Sequence, residues 1–219
     1  MIPQNFKLDL LWQICLDDSS ERSIPTTVAT RLGMLLRELG ESRPRLIEIG
    51  TGKGHQYTSY ARLYEVVTAI DPMCGAMFEL QTTDRLAEER IDPERVRRWH
   101  QVTSGMPVRL VVDSSRYAHL RAAEWAEGPY DIILVDGRHS PASHVRDDYL
   151  DYLPFMADAH IVVFDDTNWT DCREGAYRPS AKLPVTVGGG SSSFFRSMPS
   201  LTKSRGSSLS SRDSLPAHT

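Results

Sequence analysis

The stretch Leu46-Ile-Glu-Ile-Gly50-Thr-Gly52-Lys-Gly54 decides how the rest of the chain is read. A short apolar run meets glycines at alternate positions, the pattern of a buried strand that ends in a tight turn and feeds a helix. Glycine has no Cβ, so the backbone there can turn sharply and lie against a ligand. The amides of the following helix then point into the turn. The spacing is Glu-x-Gly-x-Gly-x-Gly. Lys53 or His55 stands where a dinucleotide fingerprint has its third glycine, so pyrophosphate recognition fits less well. Alone, such a stretch is equally an ordinary tight turn, and the strands that follow decide between the two.

Downstream, β-branched and apolar runs alternate with amphipathic segments. Val66–Ile70 is a second strand, and it ends on Asp71 before Pro72. An acid about 20 residues beyond a glycine turn, at the end of the next strand, is placed to grip a ribose through both hydroxyls. The alternative is a turn-forming Asp before proline. Val108–Val112 closes on Asp113-Ser114-Ser115, Tyr130–Val135 on Asp136-Gly-Arg-His139, and His160–Phe164 on Asp165-Asp166. Helices are expected over His55–Tyr64, Ala76–Arg90, Asp92–His100, Arg116–Glu127 and Ser140–Met156. The Arg95, Arg97 and Arg98 group reads as a solvated face of the third of these. Strand and helix thus alternate from Leu46 to Asp166, which predicts an α/β fold: a doubly wound, Rossmann-like, mostly parallel sheet with helices on both faces. Ligands in such sheets bind at the carboxyl ends of the strands, near the switch in strand order. The acids collected there suit a cofactor with hydroxyls and positive charge, or a metal ion, rather than an anion.

On either side the pattern weakens. Residues 1–23 form an N-terminal helical segment, with apolar residues clustered between Phe6 and Leu16, and Ile24 to Leu39 makes a helix that Gly40 stops. The main domain is expected over 24–187. Past the fifth strand, Thr170–Tyr177 reads as a short helix and Leu183–Val187 as a weak strand with no convincing partner. The Ser/Gly-rich residues 188–219 read as a flexible tail. The C-terminal sheet elements are therefore expected to be atypical or missing, and the exposed edge would invite a homo-oligomer.

Composition narrows the function. The 219 residues, 40% hydrophobic and 25% charged, suit a globular domain with a full core. A net charge of −4 argues against a nucleic-acid-binding face. Cys15, Cys74 and Cys172 have no metal-type spacing and read as reduced thiols, hence a cytoplasmic location. No apolar run approaches the ~20 residues needed to span a bilayer, and no basic leader precedes an apolar stretch. Neither membrane nor nucleic-acid partners are expected.

With the strand ends in view, residues 24–169 resemble a class I S-adenosylmethionine (SAM)-dependent methyltransferase. Glu48-Ile-Gly50-Thr51-Gly52-Lys-Gly54 is similar to the family's first motif, Asp71 to its ribose-binding acid, and Asp113-Ser114 to the segment bordering the adenine. The runs Tyr130-Asp-Ile-Ile-Leu-Val-Asp-Gly-Arg-His-Ser140 and Ile161-Val-Val-Phe-Asp-Asp166 resemble a branch of small-molecule O-methyltransferases. That branch includes the metal-dependent sugar methyltransferases of macrolide pathways and the cephalosporin-hydroxylase-like proteins. The resemblance implies SAM held by Glu48, Gly50, Thr51, Gly52, Gly54, Asp71, Asp113, Ser114 and Asp136. It also implies a magnesium ion held by Asp136, Asp165 and Asp166.

Physical chemistry is consistent with that set. Adjacent strands lie about 4.8 Å apart, so acids ending the fourth and fifth can converge on one hard cation. His139, on the loop after Asp136, is the candidate base for the acceptor hydroxyl, since imidazole titrates near neutrality. Its alternative is a loop histidine bonded to the backbone. His144 is less well placed; Asn168 and Trp169 would line the pocket for a small-molecule acceptor. The expected activity is Mg-assisted O-methylation of a sugar or natural-product hydroxyl. The rival readings are a defective SAM-binding relic, if the sheet is incomplete, and an NAD-dependent oxidoreductase, which the glycine spacing disfavours.

Overall fold

The computed structural model describes residues 24–38, 42–52, 54, 56–74, 91–180, 185–189 and 192–196. In chain order these form α1 (Ile24–Glu38), β1 (Arg45–Ile49), α2 (Tyr57–Leu63), β2 (Val66–Asp71), α3 (Pro93–Thr103), β3 (Val108–Val112), α4 (Ser115–Ala118), β4 (Tyr130–Val135), α5 (Ala142–Leu150), β5 (Met156–Phe164), α6 (Thr170–Ser180), β6 (Val185–Gly189) and β7 (Ser192–Arg196). The segment Phe6–Leu16 and the helix expected over Ala76–Arg90 lie outside the described residues.

The seven described strands join one sheet in the order β3-β2-β1-β4-β5-β7-β6. The first five run parallel; β7 is antiparallel to both β5 and β6. Successive side chains of a strand face opposite sides, and here both sides are apolar. Leu46, Val67, Ala69, Ile132, Leu134, Ile161 and Val163 pack with Leu32, Leu36, Tyr57, Tyr60, Tyr64 and Trp99 on one face. Ile47, Ile49, Ile70, Ile133, Val135, Val162 and Phe164 pack with Trp125, Val145, Tyr149 and Tyr152 on the other. Every residue of β4 is buried, as a strand central to a doubly covered parallel sheet requires. The chain winds outward from β1 to β3 and returns on the far side of β1 to β4. The crevice between the carboxyl ends of β1 and β4 is therefore the topological switch point.

The expected mostly parallel α/β sheet is present, but three details differ. The C-terminal elements are not missing: β6 and β7 form a hairpin on the free edge of β5. Phe194 and Phe195 stand opposite Val163 and Val162, respectively. Gly188, Gly189 and Ser192–Arg196 belong to the sheet rather than to a tail. The rest of 188–219 lies outside the described residues. The expected helix over Arg116–Glu127 shrinks to the four residues of α4 and a 3-10 turn, His119–Glu124, broken at Arg121. The helix expected to reach Met156 stops at Leu150, because β5 begins at Met156 and meets β4 with a register shift between Tyr130 and Ile132. Among the described residues no helix is long and apolar enough to cross a membrane.

Asp148 on α5 is an ionisable group inside this core. One carboxylate oxygen accepts the Ser115 hydroxyl, and Oδ2 has no hydrogen bond. Burial raises its pKa to about 7, with the Ser115 bond opposing the rise. The unfolded chain ionises near 3.9, so between about pH 4 and pH 7 the folded state holds the proton more tightly. Stability is fully present below the lower value and falls as pH rises through the upper one. Asp148→Asn should remove that fall, adding on the order of 2–4 kcal/mol at pH 8 and little at pH 4. Thermal melts of both proteins at the two pH values check it; equal differences at both would refute the assignment.

Candidate active site at the carboxyl ends of the strands

The glycine turn presses directly on the neighbouring strand end. Gly50 has φ +86°, and a Cβ there would lie 1.9 Å from the carbonyl oxygen of Asp136. The ladder continues past the strands on both sides, with Gly50 N donating to Ile70 O, Asp136 N to Ile49 O and Asp165 N to Val135 O. Gly52 and Gly54 also have positive φ, and Gly54 sits against Trp99 and Tyr57. The turn and the strand ends thus form one surface.

Asp71 faces this turn. Its Oδ2 accepts from Thr51 N at 3.0 Å and Thr51 Oγ1 at 2.9 Å, and its Oδ1 from Met73 N at 2.6 Å. Glu48 lies beneath the turn, its Oε1 accepting from Gln56 Nε2 and its Oε2 without a hydrogen bond. Burial lifts its pKa to about 8, the Tyr57 hydroxyl opposing and the charge of Asp136 adding to the rise. A buried carboxyl of that kind favours a cationic ligand, which would stabilise its ionised form. Asp113 accepts from Ser114 N through Oδ1 and pairs with Arg121 through Oδ2. Asp113 and Ser114 are both half-buried at the end of β3.

A second group forms where β4 and β5 end. His139 Nε2 lies 3.1 Å from Asp166 Oδ2 and 3.7 Å from Asp136 Oδ1. One ligand atom from each of Asp136, His139 and Asp166 lies within 4.8 Å of the others. Asp166 reaches this position from a left-handed backbone, φ +50°, a conformation Asp tolerates better than most residues. Burial raises the pKa of Asp136, His139 pulls it back, and the nearby charge of Asp166 raises it further. His139 is shifted upward, first by the nearby Asp136 carboxylate and then by the charges of Asp166 and Asp165, against its own burial. The indole of Trp169 stands 5.6 Å from the His139 ring, tilted by 45°, and is half exposed. It walls the outer side of this group.

The predicted residues therefore gather in two patches along one crevice. Glu48, Gly50, Thr51, Gly52, Gly54 and Asp71 make the first, with Asp113 and Ser114 beside it on β3. Asp136 and Asp166 make the second. Asp165 is buried and lies against the Asp136 carboxyl, and His139 stands close to Asp136 and Asp166. Sequence reading missed Arg95. Arg97 and Arg98 pair with Glu94 on the surface, as a solvated face should. Arg95 instead turns inward and donates to Asp71 Oδ2 at 3.0 Å. Its helical phase relative to the N-cap Asp92 is the only signal that could have set it apart.

A Rossmann-like parallel sheet closed by an antiparallel hairpin, with a glycine turn and strand-end acids in its crevice, defines a nucleoside-binding α/β enzyme. A family model described as a methyltransferase domain matches residues 47–167, more than half of the chain. The chain belongs to that family, as a class I SAM-dependent methyltransferase. Similar solved structures include an O-methyltransferase from Bacillus cereus in complex with S-adenosylhomocysteine (SAH), 14% identical, covering 90% of this chain and 91% of that one at a TM-score of 0.53. The calicheamicin methyltransferase CalS11 is 13% identical, with 90% and 94% covered and a TM-score of 0.55. TomG from Streptomyces achromogenes, an O-methyltransferase of tomaymycin synthesis in complex with SAM, is 16% identical, with 90% of each chain covered and a TM-score of 0.50. At these identities the likeness speaks to the fold. No curated protein matches the sequence. The family excludes the oxidoreductase reading, and the presence of β6 and β7 removes the ground for a relic.

Proposed function

We propose that this enzyme transfers the methyl group of SAM to a hydroxyl of a small molecule, a sugar or other natural product, with the help of a divalent cation. The observation that carries the proposal is the convergence of Asp136, His139 and Asp166 on one point beside the switch-point crevice. Two carboxylates held this close, one of them in a buried setting that raises its pKa, form a site that a cation would relieve. Carboxylate oxygens suit magnesium. Asp136, Asp165 and Asp166 would hold the ion, Asp165 lying against Asp136. When bound, the ion lowers the pKa of a coordinated hydroxyl.

The chain's own residues do the rest. The glycine turn and Asp71 would orient the nucleoside, and Glu48 would offset the positive charge of the cofactor. His139 would take the proton of the acceptor hydroxyl at Nε2, where Asp136 and Asp166 favour the imidazolium that results. The acceptor oxygen forms a bond to the methyl carbon as the carbon–sulfur bond breaks, and SAH leaves neutral at sulfur. Trp169 would cover the acceptor and exclude water. The net charge of −4 suits a small acceptor better than a nucleic acid.

Incubation with labelled SAM and a panel of hydroxylated sugars and polyketides tests this reading. Transfer to oxygen is expected, lost with a chelator and restored by magnesium. Transfer that is equal in chelator and in magnesium would remove the metal from the account.

A further inference from the structure

The Asp71 carboxylate has four donors around it, three of them on Oδ2. An ionised carboxylate offers about four lone-pair sites. Asp71 accepts from Thr51 N, Thr51 Oγ1 and Arg95 Nη2 through Oδ2 and from Met73 N through Oδ1. Three donors crowd Oδ2 and one sits on Oδ1, so Oδ1 keeps one lone pair and a ribose hydroxyl reaches Oδ2 only in place of one of its donors. Thr51 N and Met73 N are backbone groups of the two turns, and Thr51 is completely buried. Arg95 is the donor that can move, since its side chain is flexible and 23% exposed. The same guanidinium donates to Gly52 O at 3.1 Å and Cys74 O at 2.9 Å, so it ties the glycine turn to the end of β2. Arg95 also sits in the first turn of α3, three residues past the cap Asp92. A cation is disfavoured there by the helix dipole, which loosens its hold.

We propose that Arg95 is a latch that sets the affinity for the cofactor: its guanidinium holds the Asp71 carboxylate that the ribose hydroxyls require and must swing out for SAM to bind. The inference rests on the reading of Asp71 as the ribose-binding acid. With the latch closed in most molecules, the apparent dissociation constant is the intrinsic one divided by the open fraction. Removing the guanidinium removes that factor.

Calorimetric titration of SAH into the full-length protein, Arg95→Ala and Arg95→Met tests the latch; the methionine keeps the aliphatic stem if alanine fails to fold. Both variants are expected to bind about tenfold more tightly than the wild type. Without ligand they should melt about 2–4 °C lower, having lost a partly buried pair. These opposite signs separate a latch from a strut, because a strut's removal lowers affinity and melting temperature together. Unchanged or weaker binding by the variants, alongside measurable binding by the wild type, overturns the latch alone. Absence of binding by all three overturns the cofactor reading and the latch with it.

Discussion

Gly50→Ala is expected to cost more than any other single methyl group added to this protein. The new Cβ would stand 1.9 Å from Asp136 O and 2.7 Å from the carbonyl carbon. Both are backbone atoms of a strand end that cannot rotate away. The residue would also have to hold φ +86°, which costs a non-glycine residue roughly 1–2 kcal/mol. Overpacking of a fixed site adds about 1–3 kcal/mol. Together these predict a fall in melting temperature on the order of 10 °C and loss of SAH binding, since the turn must separate from β4. Gly52→Ala is the internal control. Its φ is +50°, yet a Cβ there meets nothing within 4 Å, so only the conformational cost of roughly 1–2 kcal/mol applies. Comparable melting losses for the two variants would show that the turn does not press on β4 as described.

Asp136→Asn should separate activity from stability. Its carboxylate is at once a member of the metal-type group, the partner that raises the His139 pKa and a charge that raises the pKa of Glu48. Replacing it should lower methyl transfer by about 10²-fold or more and abolish any response to magnesium. Stability should hold or rise, because burial already disfavours the charged form of Asp136 and the neutral amide carries no such penalty. The backbone bond from Asp136 N to Ile49 O is unaffected by the change. Steady-state transfer and thermal melting on the same preparation check both halves. Retained magnesium-dependent turnover would place the metal elsewhere.

The strand ends were legible in the sequence because each strand is a β-branched run that stops at an acid. Asp71, Asp113, Asp136 and the pair Asp165-Asp166 mark the carboxyl edge without any knowledge of pairing. What composition could not reveal is how each member of that last pair is oriented. The left-handed backbone of Asp166 sends its carboxylate toward His139, while Asp165 lies against Asp136. Arg95 was hidden by its neighbours: three arginines within four positions look like a solvated face, and only the helical phase turns one inward. The hairpin of β6 and β7 was hidden differently. Its glycines and serines resemble a linker, and its stabilising partner, β5, lies about 30 residues away, where local pattern has no reach.

The most direct test of the central claim is calorimetric titration of SAH into the full-length protein, with and without magnesium. Saturable binding at one site is expected, together with a separate magnesium signal in the wild type that is absent in Asp136→Asn. A folded protein that binds neither SAH nor magnesium would contradict that claim.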